Sequence, residues 1–223
     1  MSPRPLDPNI RTALIETAAR LIAEVGPAGL STRRLAVEAG TSTMAVYTYF
    51  GSKSELVREI VHDGFGRLQR LFSLVELTSD PVADMALFGR AYRYNAVTNR
   101  HVYGVMFGGS SLEGFALTEE DRQYGRYTLI GVEECVRRCI ESGRFRHDDS
   151  VLVAHQMWIA VHGTVTLELG AYLVPPYDAD RCFESQIVSL MTGAGDEPES
   201  ASKSVAASAE RFRATFGALD GQW

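Results

Sequence analysis

Apolar residues along this chain recur at intervals of three, four and seven, the mark of helices buried on one face. No stretch sustains the alternation of a half-buried strand. The first stripe, Ala13, Leu14, Thr17, Ala18 and Leu21, predicts a helix from Ile10 to Val25 that stops at Gly26-Pro27. Leu35, Ala36 and Ala39 form a short second face, and Val46 with Phe50, four apart, a third. A long stripe follows in Leu56, Ile60, Val61, Phe65, Leu68, Phe72 and Val75. Gly64 and Gly66 weaken it midway, by about 1 kcal/mol each relative to alanine, and mark a place for a bend. Asp80-Pro81 opens a helix to about Asn99, with proline in the first turn. Thr118-Glu119-Glu120-Asp121 is an acidic relative of a capping box and starts a helix that ends at Gly143. Asp148-Asp149-Ser150 begins another, to about Leu173 before Pro175-Pro176, and Cys182, Ile187, Leu190 and Met191 mark one closing at Gly193. Residues 192–204, rich in Gly, Ala, Ser, Glu and Asp, read as a flexible linker. Beyond them Val205, Ala209, Phe212 and Phe216 suit a tail helix that is marginal alone. The pattern predicts an all-α protein.

The segment from Ser31 to Lys53, STRRLAVEAGTSTMAVYTYFGSK, says most about function. Ser31 caps a first short helix, Gly40 supplies the turn, and Thr41 or Ser42 caps a second helix. That is the helix-turn-helix plan, whose second helix lies in a DNA major groove. With Val46 and Phe50 inward, Thr43, Met44 and Tyr47 fall on the outer face and Tyr49 near its edge. An exposed tyrosine can touch thymine methyls or sugars and reach a phosphate with its hydroxyl, or it can simply pack on the preceding helix. Lys53 adds a cation at a new helix N-terminus, where phosphates bind.

Charge is distributed in a way that fits. The net charge is −6, yet residues 1–70 hold nine Lys/Arg against seven Asp/Glu, while the rest holds 13 against 21. A mildly basic N-terminal part on an acidic remainder suits local phosphate contact. At 223 residues and 45% apolar, the chain can bury one large core or two smaller ones. No apolar run approaches the length of a membrane span, and no secretory leader opens the chain. Cys135, Cys139 and Cys182 form no CxxC and suit reduced thiols, so the expected location is the cytoplasm.

The middle of the chain is aromatic, with Tyr92, Tyr94, Tyr103, Phe107, Phe115, Tyr124, Tyr127 and Trp158 beside Met85, Met106 and Met157. These residue types line ligand pockets, and they equally build a helical core with tyrosines at its rim. His155, Trp158 and His162 share one helical face, but the histidines are two turns apart, long for one metal ion. Cys135 and Cys139, with Val132 and Val136, read as a buried face. No phosphate loop, Gly-x-Ser-x-Gly elbow or His-Glu-x-x-His run is present. The expectation is therefore no enzyme, no cofactor and no metal. A small helical enzyme, or a helix-turn-helix used only for protein contact, remains the alternative.

Several blocks together resemble the tetracycline-repressor (TetR) family of bacterial transcription regulators. They are Gly29 to Ala36, Ala39-Gly40, Val46 to Phe50 and Lys53 to Leu56, with the upstream stripe from Ile10. The resemblance implies a three-helix DNA-binding domain over 8–66, with its helix-turn-helix at about 32–51. It also implies a helical ligand-binding and dimerisation domain over 67–193, leaving 194–223 as linker and tail helix. It places Thr32, Arg33, Ser42, Thr43, Met44, Tyr47, Tyr49 and Lys53 at the DNA interface. The family often has histidine where Tyr49 stands, and Met44 is less polar than usual for base reading. Trp158, His162 and Gly163, followed by Leu167-Glu168, are similar to a subgroup named for its Trp-His-Gly (WHG) signature, as is the run Asn99 to Phe107. By that analogy the helices near 151–172 and 179–192 form a homodimer interface. The pocket candidates are Tyr92, Tyr103, Met106, Phe107, Tyr124, Tyr127, Trp158 and His162, for a small apolar effector. The expected protein is a dimeric, ligand-responsive repressor on a pseudo-palindromic operator.

Overall fold

The computed structural model describes residues 7–108, 115, 118–146 and 149–217. Asp148 of an expected cap lies outside them. Among the described residues the chain forms eleven α-helices and no strand. They divide into two compact units, Met1–Gly66 with Asn99–Gly125, and Arg67–Thr98 with Arg126–Trp223. The span 67–193 does not stay together, because Asn99–Gly125 groups with the first unit.

In the first unit α1 (Pro8–Val25) starts at Asp7, whose carboxylate accepts from the Asn9 N–H, and buries Leu14, Ile15, Ala18, Leu21 and Ile22. It packs against α2 (Thr32–Glu38) and against α6 (Arg100–Met106), and α2 packs on α3 (Thr43–Phe50). The N-terminal part of α4 (Lys53–Phe72) contributes Leu56, Val57, Ile60 and Val61 to this core. The helix runs unbroken through Gly64 and Gly66. Gly64 instead permits close approach, since a Cβ there would stand 2.3 Å from the Met106 sulfur.

The helix expected from residue 118 to 143 is divided. Thr118 and Asp121 do form a reciprocal capping box, but α7 (Glu119–Gln123) passes into a 3-10 stretch, Tyr124–Leu129, before α8 (Ile130–Glu141). Within that stretch Gly125 brings the backbone so near the Phe65 ring that a Cβ would collide with it.

In the second unit α5 (Pro81–Thr98) is central, packed against α8, α9 (Ser150–Leu169) and α11 (Pro198–Phe216), while α10 (Ala179–Ala194) packs on α9 and α11. Helix α9 ends four residues earlier than its apolar pattern suggests, at Gly170 and a left-handed Ala171 (φ 58°). The linker expected at 192–204 is not one. Gly195 stops α10, the Glu197 carboxylate accepts from the Ser200 N–H, Pro198 sits in the first turn, and α11 runs 19 residues. Its Ala201, Ser204 and Ser208 are buried, so the small residues that look like linker are what lets α11 lie close to its neighbours.

Candidate functional site

Short-range chemistry shapes the helix-turn-helix. Ser31 Oγ accepts from the Arg34 N–H at 3.1 Å and begins α2. Gly40 takes φ 65°, the left-handed region glycine enters without penalty, and the Thr41 N–H closes back onto the Ala36 carbonyl at 2.8 Å. Of the two candidate caps it is Ser42 that serves, accepting from the Ala45 N–H at 3.1 Å. Gly51, at φ 72°, ends α3, and Ser52 then caps α4 by accepting from the Glu55 N–H at 3.1 Å. Leu35, Ala36, Val46 and Phe50 are buried between these helices.

What remains outside is a strip along α3. Met44 is 72% exposed and Tyr47 53%, large values for apolar side chains, and Thr43 and Thr48 beside them are exposed too. Tyr49 is half-buried, and its hydroxyl donates to the Asp7 carbonyl at 2.9 Å, tying α3 to the start of α1. Lys53 is exposed, and its ammonium donates to the Leu30 carbonyl at 3.3 Å, which uses one of its three N–H groups. On α2, Thr32 is half-buried and Arg33 exposed. Arg34, in contrast, is held by Glu38 at 2.6 Å, and Arg20 meets the same carboxylate at 2.7 Å. Hydrogen bonds from Arg34 and then Arg20 keep the Glu38 carboxyl below the usual range.

The pocket candidates separate. Tyr103, Met106, Phe107 and Tyr124 belong to the first unit, where Tyr103 and Phe107 rings lie 5.0 Å apart and Tyr124 stacks on His62 at 3.8 Å. Tyr92, Trp158 and His162 come together in the second unit. Here a cavity of about 40 Å³ is lined by Phe72, Met85, Phe88, Gly89, Tyr92, Thr128, Leu129, Val132, Met157, Trp158, Val161, Ile187 and Met191. The Tyr92 hydroxyl and His162 Nδ1 are hydrogen-bonded at 3.0 Å, and burial pushes the His162 pKa down, so the ring is neutral near pH 7. Tyr127 is half-buried, in the same turn as the lining residues Thr128 and Leu129. The sequence did not single out Phe72, Phe88, Val161, Ile187 or Met191 for a cavity. Their helical spacing marks them only as core, and the signal available was Gly89, a lining residue where an added Cβ would stand 3.3 Å from the Phe183 ring.

Other chemistry-bearing groups are accounted for locally. His155 is half-buried and its Nδ1 bonds the Val151 carbonyl at 2.7 Å. Cys135 and Cys139 are buried, which pushes both thiols up to about 12 and leaves them unreactive. Among the described residues no group of three or more His, Cys, Asp or Glu is placed to hold a metal ion. A wide cleft of about 690 Å³ between α5, α10 and α11 is charged, but Arg90 and Arg93 in its wall are already paired with Glu184 and Glu168.

Known proteins share this fold. The family described as bacterial regulatory proteins, tetR family, matches residues 14–60, and a tetracyclin repressor-like C-terminal domain matches residues 85–190. An HTH-type transcriptional regulator of Mycobacterium tuberculosis is 29% identical over 149 residues, 64% of this chain and 62% of that protein, so the chain spans less than two thirds of that relative. The TetR family transcriptional regulator PfmR from Thermus thermophilus has a TM-score of 0.64 at 23% identity, covering 82% of this chain and 99% of that one. AibR, solved in complex with isovaleryl coenzyme A and operator DNA, has a TM-score of 0.62 at 19% identity, covering 82% and 98%. With both halves of the family pattern on one all-helical chain, the protein belongs to the TetR family of DNA-binding bacterial transcription regulators.

Proposed function

We propose that this protein is a cytoplasmic, ligand-responsive repressor that binds a pseudo-palindromic operator as a homodimer, and that it acts as a binding protein and not as an enzyme. The observation that carries the reading is the strip of α3. Met44, Tyr47, Thr43 and Thr48 are exposed together on a capped helix whose other face is buried, and Lys53 stands one turn beyond it. A helix displayed in this way fits a major groove, with Lys53 and Arg33 taking phosphates. Thr32 supports the same edge. Ser42 and Tyr49 act indirectly, because their hydroxyls are engaged in capping α3 and in fastening it to Asp7.

Operator symmetry calls for a two-fold dimer. Helix α9 supports one: Leu152 is 51% exposed and Ile159 61%, with Gly163 a turn further on and open space where its Cβ would be. These positions recur on one face and suit pairing with a second copy, alongside α10. The effector is small, uncharged and largely apolar, since the cavity beside Tyr92 and Trp158 has no charged residue in its lining. AibR, on a similar fold, was solved with isovaleryl coenzyme A and operator DNA together, which supports joint ligand and duplex binding on this fold. Effector binding favours a state whose two recognition helices are mis-spaced for the half-sites, a population shift by differential affinity.

Selection of duplexes from a random pool by the full-length protein at moderate salt tests this. A selected palindrome, lost on Tyr47→Ala without a fall in thermal stability, supports the reading. If no duplex is preferred, the protein is not an operator-binding regulator. Titrating small aromatics and short acyl compounds against Trp158 emission tests the effector, and release of the operator by a binder completes the reading.

A further inference from the structure

We infer that α3 reads its operator through thymine methyl groups, with Met44 and Tyr47 as the reading pair; this rests on the operator-binding reading above. None of the eight residues of α3, Thr43 to Phe50, carries an amide, guanidinium, ammonium or carboxylate group. The bidentate pairs that select guanine or adenine, arginine to O6 and N7 or asparagine and glutamine to N6 and N7, therefore cannot come from this helix. Two of its four hydroxyls, and that of its cap Ser42, are engaged as well. Ser42 accepts from the Ala45 N–H at 3.1 Å, Thr48 donates to the Met44 carbonyl at 2.9 Å, and Tyr49 donates to the Asp7 carbonyl at 2.9 Å.

What the helix offers a groove is apolar surface. Met44 and Tyr47 are three residues apart, hence neighbours on one face, and they are 72% and 53% exposed. On the floor of the major groove the apolar feature of a base pair is the C5-methyl of thymine. An unbranched thioether adapts its shape to such a group, and a tyrosine ring lies flat on one while its hydroxyl reaches the backbone. Helix α3 therefore discriminates between bases by burying methyls, and each half-site carries thymines where Met44 and Tyr47 descend.

The test uses the full-length protein and the duplex it selects. Each thymine of one half-site is replaced by deoxyuridine, which removes the methyl and keeps the pairing edge. Loss of a contacted methyl weakens binding about fourfold, the worth of one buried carbon, and loss outside the half-sites changes nothing. Met44→Ala abolishes sensitivity at one such position while its melting temperature stays that of the native protein, because the side chain is exposed. Met44→Gln, of similar length, shifts the preferred base there toward adenine. Replacing every half-site thymine with a change of less than about twofold, while the selected duplex still outcompetes random DNA, overturns methyl reading and leaves the operator reading standing. Sensitivity that survives both Met44→Ala and Tyr47→Ala overturns the assignment to this pair. A protein that prefers no duplex overturns both readings.

Discussion

The same pair of residue types, arginine and carboxylate, does different work at the helix-turn-helix and at the junction of α5, α8 and α11. Around α2 the pairs Arg20–Glu38 (2.7 Å) and Arg34–Glu38 (2.6 Å) lie on the surface in water. At the junction Asp84 is 0% exposed, and it accepts from Arg138 at 2.9 Å, from Arg211 at 2.7 Å and from the Thr78 N–H at 2.8 Å. Exposed pairs gain little because both charges give up good hydration and hold long side chains still. A buried carboxylate has no such alternative, and losing its partners leaves it stranded. The first region is held by its apolar core and can devote its surface to display. The second is clamped by a charge that cannot be left unpaired, and α11 is the element so clamped.

The largest effect should come from breaking the clamp. Asp84→Ala should destabilise the protein by about 3 kcal/mol, the low end for a buried pair, because Arg138 and Arg211 are about a quarter exposed and rehydrate. Calorimetric melting checks this, together with limited proteolysis in α11, where the first new cleavage is expected. A loss no greater than that of a surface pair would erase the contrast.

Acid sharpens the same comparison. Burial alone would raise the Asp84 pKa, but the hydrogen bonds from Thr78, Arg138 and Arg211 outweigh it and hold the carboxyl below its ordinary 3.8. The stability this contributes is therefore fully present above 3.8 and lost as the pH falls through the depressed native value. Melting temperatures of the native protein and of Asp84→Asn, followed from pH 6 downward, should differ by a constant amount until about pH 4 and then converge. A gap that widens in acid would show that Asp84 is protonated in the folded state.

A smaller change tests the cavity. Tyr92→Phe removes the hydroxyl bonded to His162 Nδ1 and should cost about 1 kcal/mol, with weaker binding of any effector that uses the same polar corner. This site also shows what the sequence could and could not reveal. The helix-turn-helix was legible because its determinants are local: Ser31 and Ser42 cap, Gly40 and Gly51 turn, and Val46 and Phe50 mark the inner face within one turn of helix. The aromatic positions were legible as residue types but not as a group. Tyr103 and Phe107 go to one unit and Tyr92 and Trp158 to the other, because the chain returns to the first unit at Asn99. A cavity between Phe88, Trp158 and Ile187 is a property of three helices at once and leaves no periodic trace. Helix α11 was misread for a related reason. Alanines and serines signal flexibility until a neighbouring helix makes their small size an advantage.

The smallest expected effect on stability lies on the other side of the comparison. Glu38→Gln breaks two exposed ion pairs, and the melting temperature should move by no more than about a degree, because both arginines return to water. The consequence should instead appear in DNA binding. With Glu38 neutral, Arg34 is released from its 2.6 Å contact beside exposed Arg33, and the helix-turn-helix loses a negative charge. Affinity for all duplexes should rise together, and the slope of log affinity against log salt should steepen by about one phosphate contact. The comparison then takes its sharpest form: at α11 a carboxylate is there for the fold, whereas at α2 a carboxylate restrains how strongly the protein holds DNA of any sequence. A large drop in melting temperature, or an unchanged salt slope, would remove that distinction.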